Sequence, residues 1–374
     1  MFDTTWGGAT VAGAVTLAII MFICGRVSVT RSSSVMSLRR RIAEKQSAER
    51  LGKFVSDPQE VQALAQAYAD PRKAESELPQ YPWDIKLTPT PFVGVMPMRQ
   101  SREHVQVNDQ HFRSPTSIPI EKPAGEDRVF LVGGSTAFGV GVPDDGTVAV
   151  FLEAHLDQVR NRASVTTAAC PAWASTHERI LIENVLAVMA PDAVVCLSGF
   201  NEAHWAWNRR NVRWFNTYGD EHFNECINFS RAFVGHSRIQ ESQPQLDTEP
   251  SPQEVADVLS ANVHLAAVAL TRTGCPKYVF ALQPCMPVTE KELTEREATR
   301  FAVWHPVQVE YYRACYESIR DSLGDLAGRM DGFQFVDCSR VFDDLSSQDE
   351  IFIDGSHCGD RGNRMVAERI AGDW

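Results

Sequence analysis

Val129-Phe130-Leu131-Val132-Gly133-Gly134-Ser135-Thr136 is the stretch on which the reading of this chain turns. A run of apolar residues, two of them β-branched, is what a strand buried on both faces requires. The glycines then let the backbone turn sharply and leave a small hydroxyl at the strand's end. Outward from there the chain repeats one rhythm. Further apolar runs occur at SVTTAAC (164–170), AVVCLSG (193–199), KYVFALQ (277–283) and FQFVD (333–337). Helical patterns near 147–160, 176–190, 252–273, 306–327 and 360–371 separate or follow them. Short strands alternating with helices imply an α/β domain of three layers, α/β/α, around a five-stranded, mainly parallel sheet. Such domains carry their sites where the strands end.

The residues at those ends are chemically suggestive. Ser135 follows the first run, and its own backbone N–H could begin an oxyanion site. A P-loop would need a lysine after the glycines, and Val140-Gly141 stands there instead. The dinucleotide fingerprint also fails, because Gly139 and Gly141 lead into Val142-Pro143-Asp144. The elbow G-x-S-x-G is missed by Ala137. The third run ends in Gly199-Phe200-Asn201-Glu202, where the Asn201 amide could face a developing negative charge. Near the C-terminus, Asp354-Gly355-Ser356-His357 precedes a helix. A serine hydroxyl needs a base within hydrogen-bond reach, and a carboxylate can orient that base.

With these blocks in this order, residues 128–371 resemble the SGNH (GDSL-like) hydrolases. The resemblance implies a flavodoxin-like fold and an esterase that forms an acyl-serine. It implies Ser135 as nucleophile, His357 as base and Asp354 as its partner. It further implies an oxyanion hole made by Ser135 N–H, Asn201 and the backbone N–H of Ala172. Two positions depart from the family pattern. Gly134 stands where Asp is frequent, and Ala172 stands where the family has glycine. Should that second position need a positive φ, alanine would be strained there.

Composition narrows the field from the other side. The formal charge of −12 and the absence of a basic run exclude a nucleic-acid surface. The nine cysteines contain no C-x-x-C and the histidines no H-x-x-x-H, so neither a metal site nor any cofactor is expected. Cys170, Cys196 and Cys338 lie in strand-like runs, which suits buried free thiols.

Before the domain, Gly7 to Gly25 carries no charge. Nineteen residues at the helical rise span roughly 28 Å, enough for a single-pass transmembrane helix. The membrane is thus the expected partner of residues 7–25, after a tail at 1–6. Arg26, Arg31, Arg39, Arg40 and Arg41 follow the span, which leans the domain towards the cytoplasm, whereas the family resemblance leans it towards the cell envelope. Residues 26–70 read as a juxtamembrane helical stalk. Within it Asp57 caps a helix opened by Pro58 and ended by Pro71. Residues 71–127 read as an irregular collar, and 128–374 as the hydrolase domain.

Two insertions interrupt that domain, at about 203–252 and 284–305. The first holds Trp205, Trp207, Trp214, Arg209, Arg210 and Arg213, residue types suited to a sugar ring or acyl chain and an anionic group. The second reads as a short charged helix over the same rim, with His305 at a helix end. Trp173, His204 and Trp205 are the candidate substrate contacts. The expected substrate is a small-molecule or glycan ester, with O-acyl removal from carbohydrate preferred. O-acyl transfer by the same triad and an inactive glycan-binding scaffold are the alternatives.

Overall fold

The computed structural model describes residues 57–160, 162–211, 227–237, 246–372 and 374. The tail, the expected membrane span, most of the stalk and much of the first insertion, Arg213 and Trp214 included, lie outside the described residues.

Five parallel strands form the central sheet: β5 (Asp127–Gly133), β6 (Ala163–Ala169), β7 (Ala193–Ser198), β8 (Lys277–Leu282) and β9 (Phe333–Asp337). Their spatial order is β6-β5-β7-β8-β9. Numbered within the sheet this is 2-1-3-4-5, the flavodoxin-like doubly wound order, whose switch point lies beside the first strand. The three-layer expectation therefore holds, and each expected strand is found within two residues of its sequence-read limits.

Alternate side chains along each strand serve opposite layers. Val129 and Leu131 join a core with α4 (Val148–Arg160) and α10 (Asp360–Gly372). Phe130 and Val132 join a larger core with α7 (Pro252–Arg272) and α9 (Pro306–Ala327). The ends of α7 and α9 follow from capping chemistry. Ser251 and Glu254 form a reciprocal capping box before α7, and His305 accepts from Val307 N at the start of α9. His305 is thus a cap, as its sequence position suggested. The helix expected near 176–190 is subdivided into α5 (Ser175–Leu181), a π turn (Ile182–Leu186) and a 3-10 turn (Ala187–Met189).

Among the described residues one helix, α7, is long and apolar enough to cross a membrane. Here its Val255, Leu259, Val263 and Leu270 are buried against the domain core. Its apolarity is that of a core helix.

The segment before the sheet departs from the irregular collar read in the sequence. Asp57 does cap a helix, α1 (Pro58–Ala65). Pro71, however, opens a second helix, α2 (Pro71–Glu77), capped by Asp70, rather than simply closing the first. Proline tolerates the first helical turn because no intrahelical partner is lost there. Two antiparallel hairpins follow, β1 (Leu87–Thr90) with β2 (Gly94–Pro97), and β3 (Gln100–Arg102) with β4 (Val105–Val107). The described cysteines, Cys170, Cys196, Cys275, Cys285, Cys315, Cys338 and Cys358, are all buried and form no disulfide among themselves.

Candidate active site

Ser135 opens a single helical turn, α3 (Ser135–Phe138), directly beyond β5. From Arg128 to Gly139 every residue is buried except Ser135. The turn thus displays one hydroxyl at the carboxyl edge of the sheet. Its neighbour Thr136 is buried, donates to the carbonyl of Ser356 (3.2 Å) and accepts from Gln283 Nε2 (3.1 Å). The first bond ties the serine turn to the Asp354–His357 loop and the second to the end of β8, and the sequence offered only a polar residue at each strand end as a hint.

The loop is a closed structure of its own. Asp354 Oδ1 accepts the backbone N–H groups of Ser356 and His357, both at 2.9 Å. Its Oδ2 meets His357 Nδ1 at 2.7 Å. Ile353 N donates to His357 O (2.9 Å), sealing the turn. Burial pushes the His357 imidazole down, but the Asp354 carboxylate and its hydrogen bond outweigh this and hold its pKa above the ordinary value. Burial likewise pushes Asp354 up, and the His357 charge with the three hydrogen bonds overrides it, leaving the carboxyl well below its usual range. With Nδ1 engaged by the carboxylate, Nε2 is the nitrogen left to act. It is buried and has no hydrogen-bond partner among the described residues. No hydrogen bond joins it to Ser135 Oγ, and such contacts commonly tighten only when substrate is bound.

Asn201 Nδ2 and Trp173 O border the serine turn, where a Cβ on Gly134 would meet them at 2.6 and 3.4 Å. Ser135 N–H and Ala172 N–H have no acceptor among the described residues. Asn201, on the first turn of α6 (Phe200–Trp207), gives one amide hydrogen to Trp173 O at 2.6 Å and keeps a second. Ala172 has φ +71°. Pro171 precedes it, and Trp173 N donates to Cys170 O at 3.2 Å. This is a type II turn with proline at its second position and, at its third, the left-handed site that glycine normally takes. The strain foreseen for alanine is therefore present, at about 1–2 kcal/mol.

Trp173 is a correction. It is 1% exposed, its Nε1 donates to Val95 O (3.0 Å), and its ring stacks on His177. A side chain so enclosed belongs to the core and cannot line a substrate surface. His204 and Trp205 are only half-buried. His204 Nδ1 meets Tyr312 Oη at 2.9 Å, and Trp205 Nε1 donates to Ala172 O at 3.3 Å. Phe200 packs against His204, Tyr312 and Trp304. Trp304, from the second insertion, lies on the acid–base loop, where a Cβ on Gly355 would sit 2.6 Å from Cζ2 of its ring. Half-buried aromatic rings thus run from Ala172 to Gly355.

Two arginines escaped the sequence reading. Arg113, 6% exposed, donates to the carbonyls of Phe138, Gly139, Val142 and His104 and pairs with Asp144. Arg296 holds the carbonyls of Phe352 and Ile353, each at 2.8 Å. Among the described residues no group of His, Cys, Asp and Glu is arranged to hold a metal ion. A cavity of about 440 Å³ opens at the opposite end of the sheet, between Asp127, Asp192, Lys277 and Trp374. It shares no residue with this site.

No protein-family model and no curated protein matches the sequence. Among solved structures, a carbohydrate acetylesterase from Sinorhizobium meliloti is 14% identical, with a TM-score of 0.39 over 66% of this chain and 98% of that one. A catalytic mutant of an acetylxylan esterase from Geobacillus stearothermophilus is 11% identical, with a TM-score of 0.39 over 65% and 92%. A lipase/acylhydrolase from Enterococcus faecalis is 11% identical, with a TM-score of 0.37 over 66% and 94%. Likeness at this level carries no functional argument.

Proposed function

We propose that this chain is a serine esterase of the SGNH type, acting through an acyl-serine. The observation that carries the reading is the Asp354–His357 pair, with Nε2 buried and unpartnered, tied through Thr136 to the turn that exposes Ser135. Ser135 Oγ attacks the ester carbonyl while His357 Nε2 takes its proton. The oxyanion is met by Ser135 N–H, Ala172 N–H and the second Asn201 amide hydrogen. The same proton then goes to the departing alkoxide oxygen. Water, deprotonated by His357, attacks the acyl-serine; the acyl–Oγ bond then breaks, His357 returns that proton to Ser135 Oγ, and the acid leaves. Asp354 stays ionised throughout and stabilises the imidazolium.

The aromatic band favours an ester carried on a flat, partly apolar body, and a sugar ring with a small O-acyl group meets that description. Neither of the two arginines described above is offered to that band, since Arg113 and Arg296 are engaged in the scaffold. The uncharged run from Gly7 to Gly25 supports a membrane tether for the domain, which resistance to alkaline carbonate extraction would test.

Labelling by a fluorophosphonate tests the central assignment. The wild-type protein should react and Ser135→Ala should not. A folded wild-type protein that stays unlabelled, and releases no acetate from acetylated glycans, would sink the esterase reading.

A further inference from the structure

The short helices ahead of the sheet build a core of their own, and two of its members are foreign to the segment. Val61, Leu64, Ala65, Ala67, Tyr68, Ala74, Leu78 and Tyr81 pack with Val142 and Ile353. Val142 belongs to the loop that follows the Ser135 turn. Ile353 immediately precedes Asp354.

The polar contacts run to the same two loops. Tyr68 Oη, within a buried side chain, donates to Gly141 O at 2.6 Å, and Gly141 N donates to Pro82 O at 3.2 Å. Both backbone groups of Gly141 are thereby spoken for by residues 68–82. Gly141 has φ +82°, and a Cβ there would stand 2.3 Å from Ile353 Cδ1 and 2.9 Å from Trp83 Cζ3. Three segments meet at that point with no room for a side chain.

Beyond His357 the contact continues. Ala69 N donates to Asp360 Oδ1 (2.7 Å), and Arg361 donates to Gln66 O (3.0 Å). Glu60 on α1 pairs with Arg296 (3.2 Å) and Arg300 on α8 (Glu295–Phe301). Arg296 holds Glu350 (2.6 Å) as well as the two carbonyls ahead of Asp354. Its neighbour Glu297 accepts the N–H groups of Ile351 and Phe352, at 3.0 and 2.9 Å.

We propose that residues 58–83, together with Arg296 of α8, are a clamp that sets the serine loop and the acid–base loop in register, with Tyr68 and Arg296 as its positioning residues. This rests on the esterase reading for its consequence in rate, but the geometry it asserts can be read independently. Neither residue touches substrate. Tyr68 holds the loop that follows the Ser135 turn and Arg296 holds the carbonyls just ahead of Asp354, and a displacement of order 1 Å in a reacting group can cost about a hundredfold in rate.

The test compares Tyr68→Phe, Arg296→Lys and the remote core variant Ile319→Val with the wild-type chain. Two quantities are measured, the His357 ring titration by NMR and kcat with KM on a phenyl ester. The clamp variants should lower the His357 pKa towards its ordinary value as the Asp354 contact loosens. They should also reduce kcat about tenfold or more with KM little changed. Ile319→Val, destabilised on the far side of the sheet, should change neither. Should Arg296→Lys fail to fold, Tyr68→Phe decides alone, since it removes a single hydroxyl. An unaltered His357 titration in folded Tyr68→Phe overturns the clamp, whatever the activity. A lowered titration in a chain whose wild type hydrolyses no ester upholds the clamp and sinks the esterase reading instead.

Discussion

Gly134 and Asn201 compete for one volume: a Cβ on residue 134 would lie 2.6 Å from the Asn201 side-chain nitrogen. The missing side chain is therefore what allows the amide to reach the serine turn. Gly134→Ala should push Asn201 aside while leaving Ser135, Asp354 and His357 in place. Loss of one oxyanion donor costs about 10²–10³ in kcat. Steady-state kinetics should show a fall of that order with KM nearly unchanged, and adding Asn201→Ala should cost little more.

Asp354→Asn should reveal the coupling of the acid–base pair. Wild-type activity should rise with pH through a His357 inflection above the ordinary imidazole value, because the neutral ring is the base. In the variant that inflection moves down, and the plateau falls by about 10⁴ as the ring loses its tautomer and its counter-charge. Stability carries the same signature with both signs. The lowered Asp354 pKa contributes above its unfolded value, near 3.9, and that contribution is lost as pH falls through the folded one. The raised His357 pKa contributes below its unfolded value, near 6.5, and that contribution is lost as pH rises through the folded one. Urea unfolding should accordingly separate wild type from Asp354→Asn most between about pH 4 and 6.5, and less at pH 9.

Ala172→Gly should be a gain. It removes the left-handed cost of about 1–2 kcal/mol and returns about 0.4–1 kcal/mol of chain entropy to the unfolded state. A small rise in midpoint temperature, with kcat kept or improved, is expected from thermal unfolding and kinetics. A fall in both would mean that the Ala172 methyl group has a packing role.

Glu178 should make the protein weaker in alkali. Burial and the neighbouring Glu202 carboxyl raise its pKa to about 8. It accepts from Ser198 Oγ (2.6 Å) and Cys196 Sγ (3.1 Å). The folded state keeps a proton there that the unfolded chain has already released above its ordinary carboxyl value. Stability must then decline as pH rises between those two values. Glu178→Gln should abolish that decline, so its unfolding midpoint should exceed that of the wild type at pH 8 and converge with it near pH 4.

The sheet was legible because a parallel strand buried on both faces reads as a continuous apolar run, and 129–132, 193–197 and 278–282 are such runs. The long helices were legible from their helical patterns near 252–273 and 306–327, with His305 read as a helix end. Pro71 misled because proline closes one helix and opens another with equal ease, and only the Asp70 cap separates the cases. The hairpins of 87–107 are too short for alternation to show. Trp173 looked like a rim residue from its place after β6, yet its ring is drawn inward by Val95 O, some 78 residues earlier. Arg113 and Arg296 were invisible for the same reason. A guanidinium that gathers carbonyls far along the chain leaves no local pattern.

The bond between Ala69 and Asp360 spans 291 residues. On the ribosome α1 and α2 emerge among the first of the described elements, while the carbonyls and side chains that complete their core arrive with almost the last. Chains of this size fold through intermediates as synthesis proceeds, and contacts this distant in sequence form late. Leu64, Tyr68 and Leu78 must therefore wait uncovered through most of translation. A chain cut short before residue 353 would keep Ser135 but lack both its base and the wall that shuts the first core. Nascent and truncated molecules that lack residues 353–361 should accordingly be inert towards esters and prone to aggregate, so that hydrolysis waits for those residues to emerge.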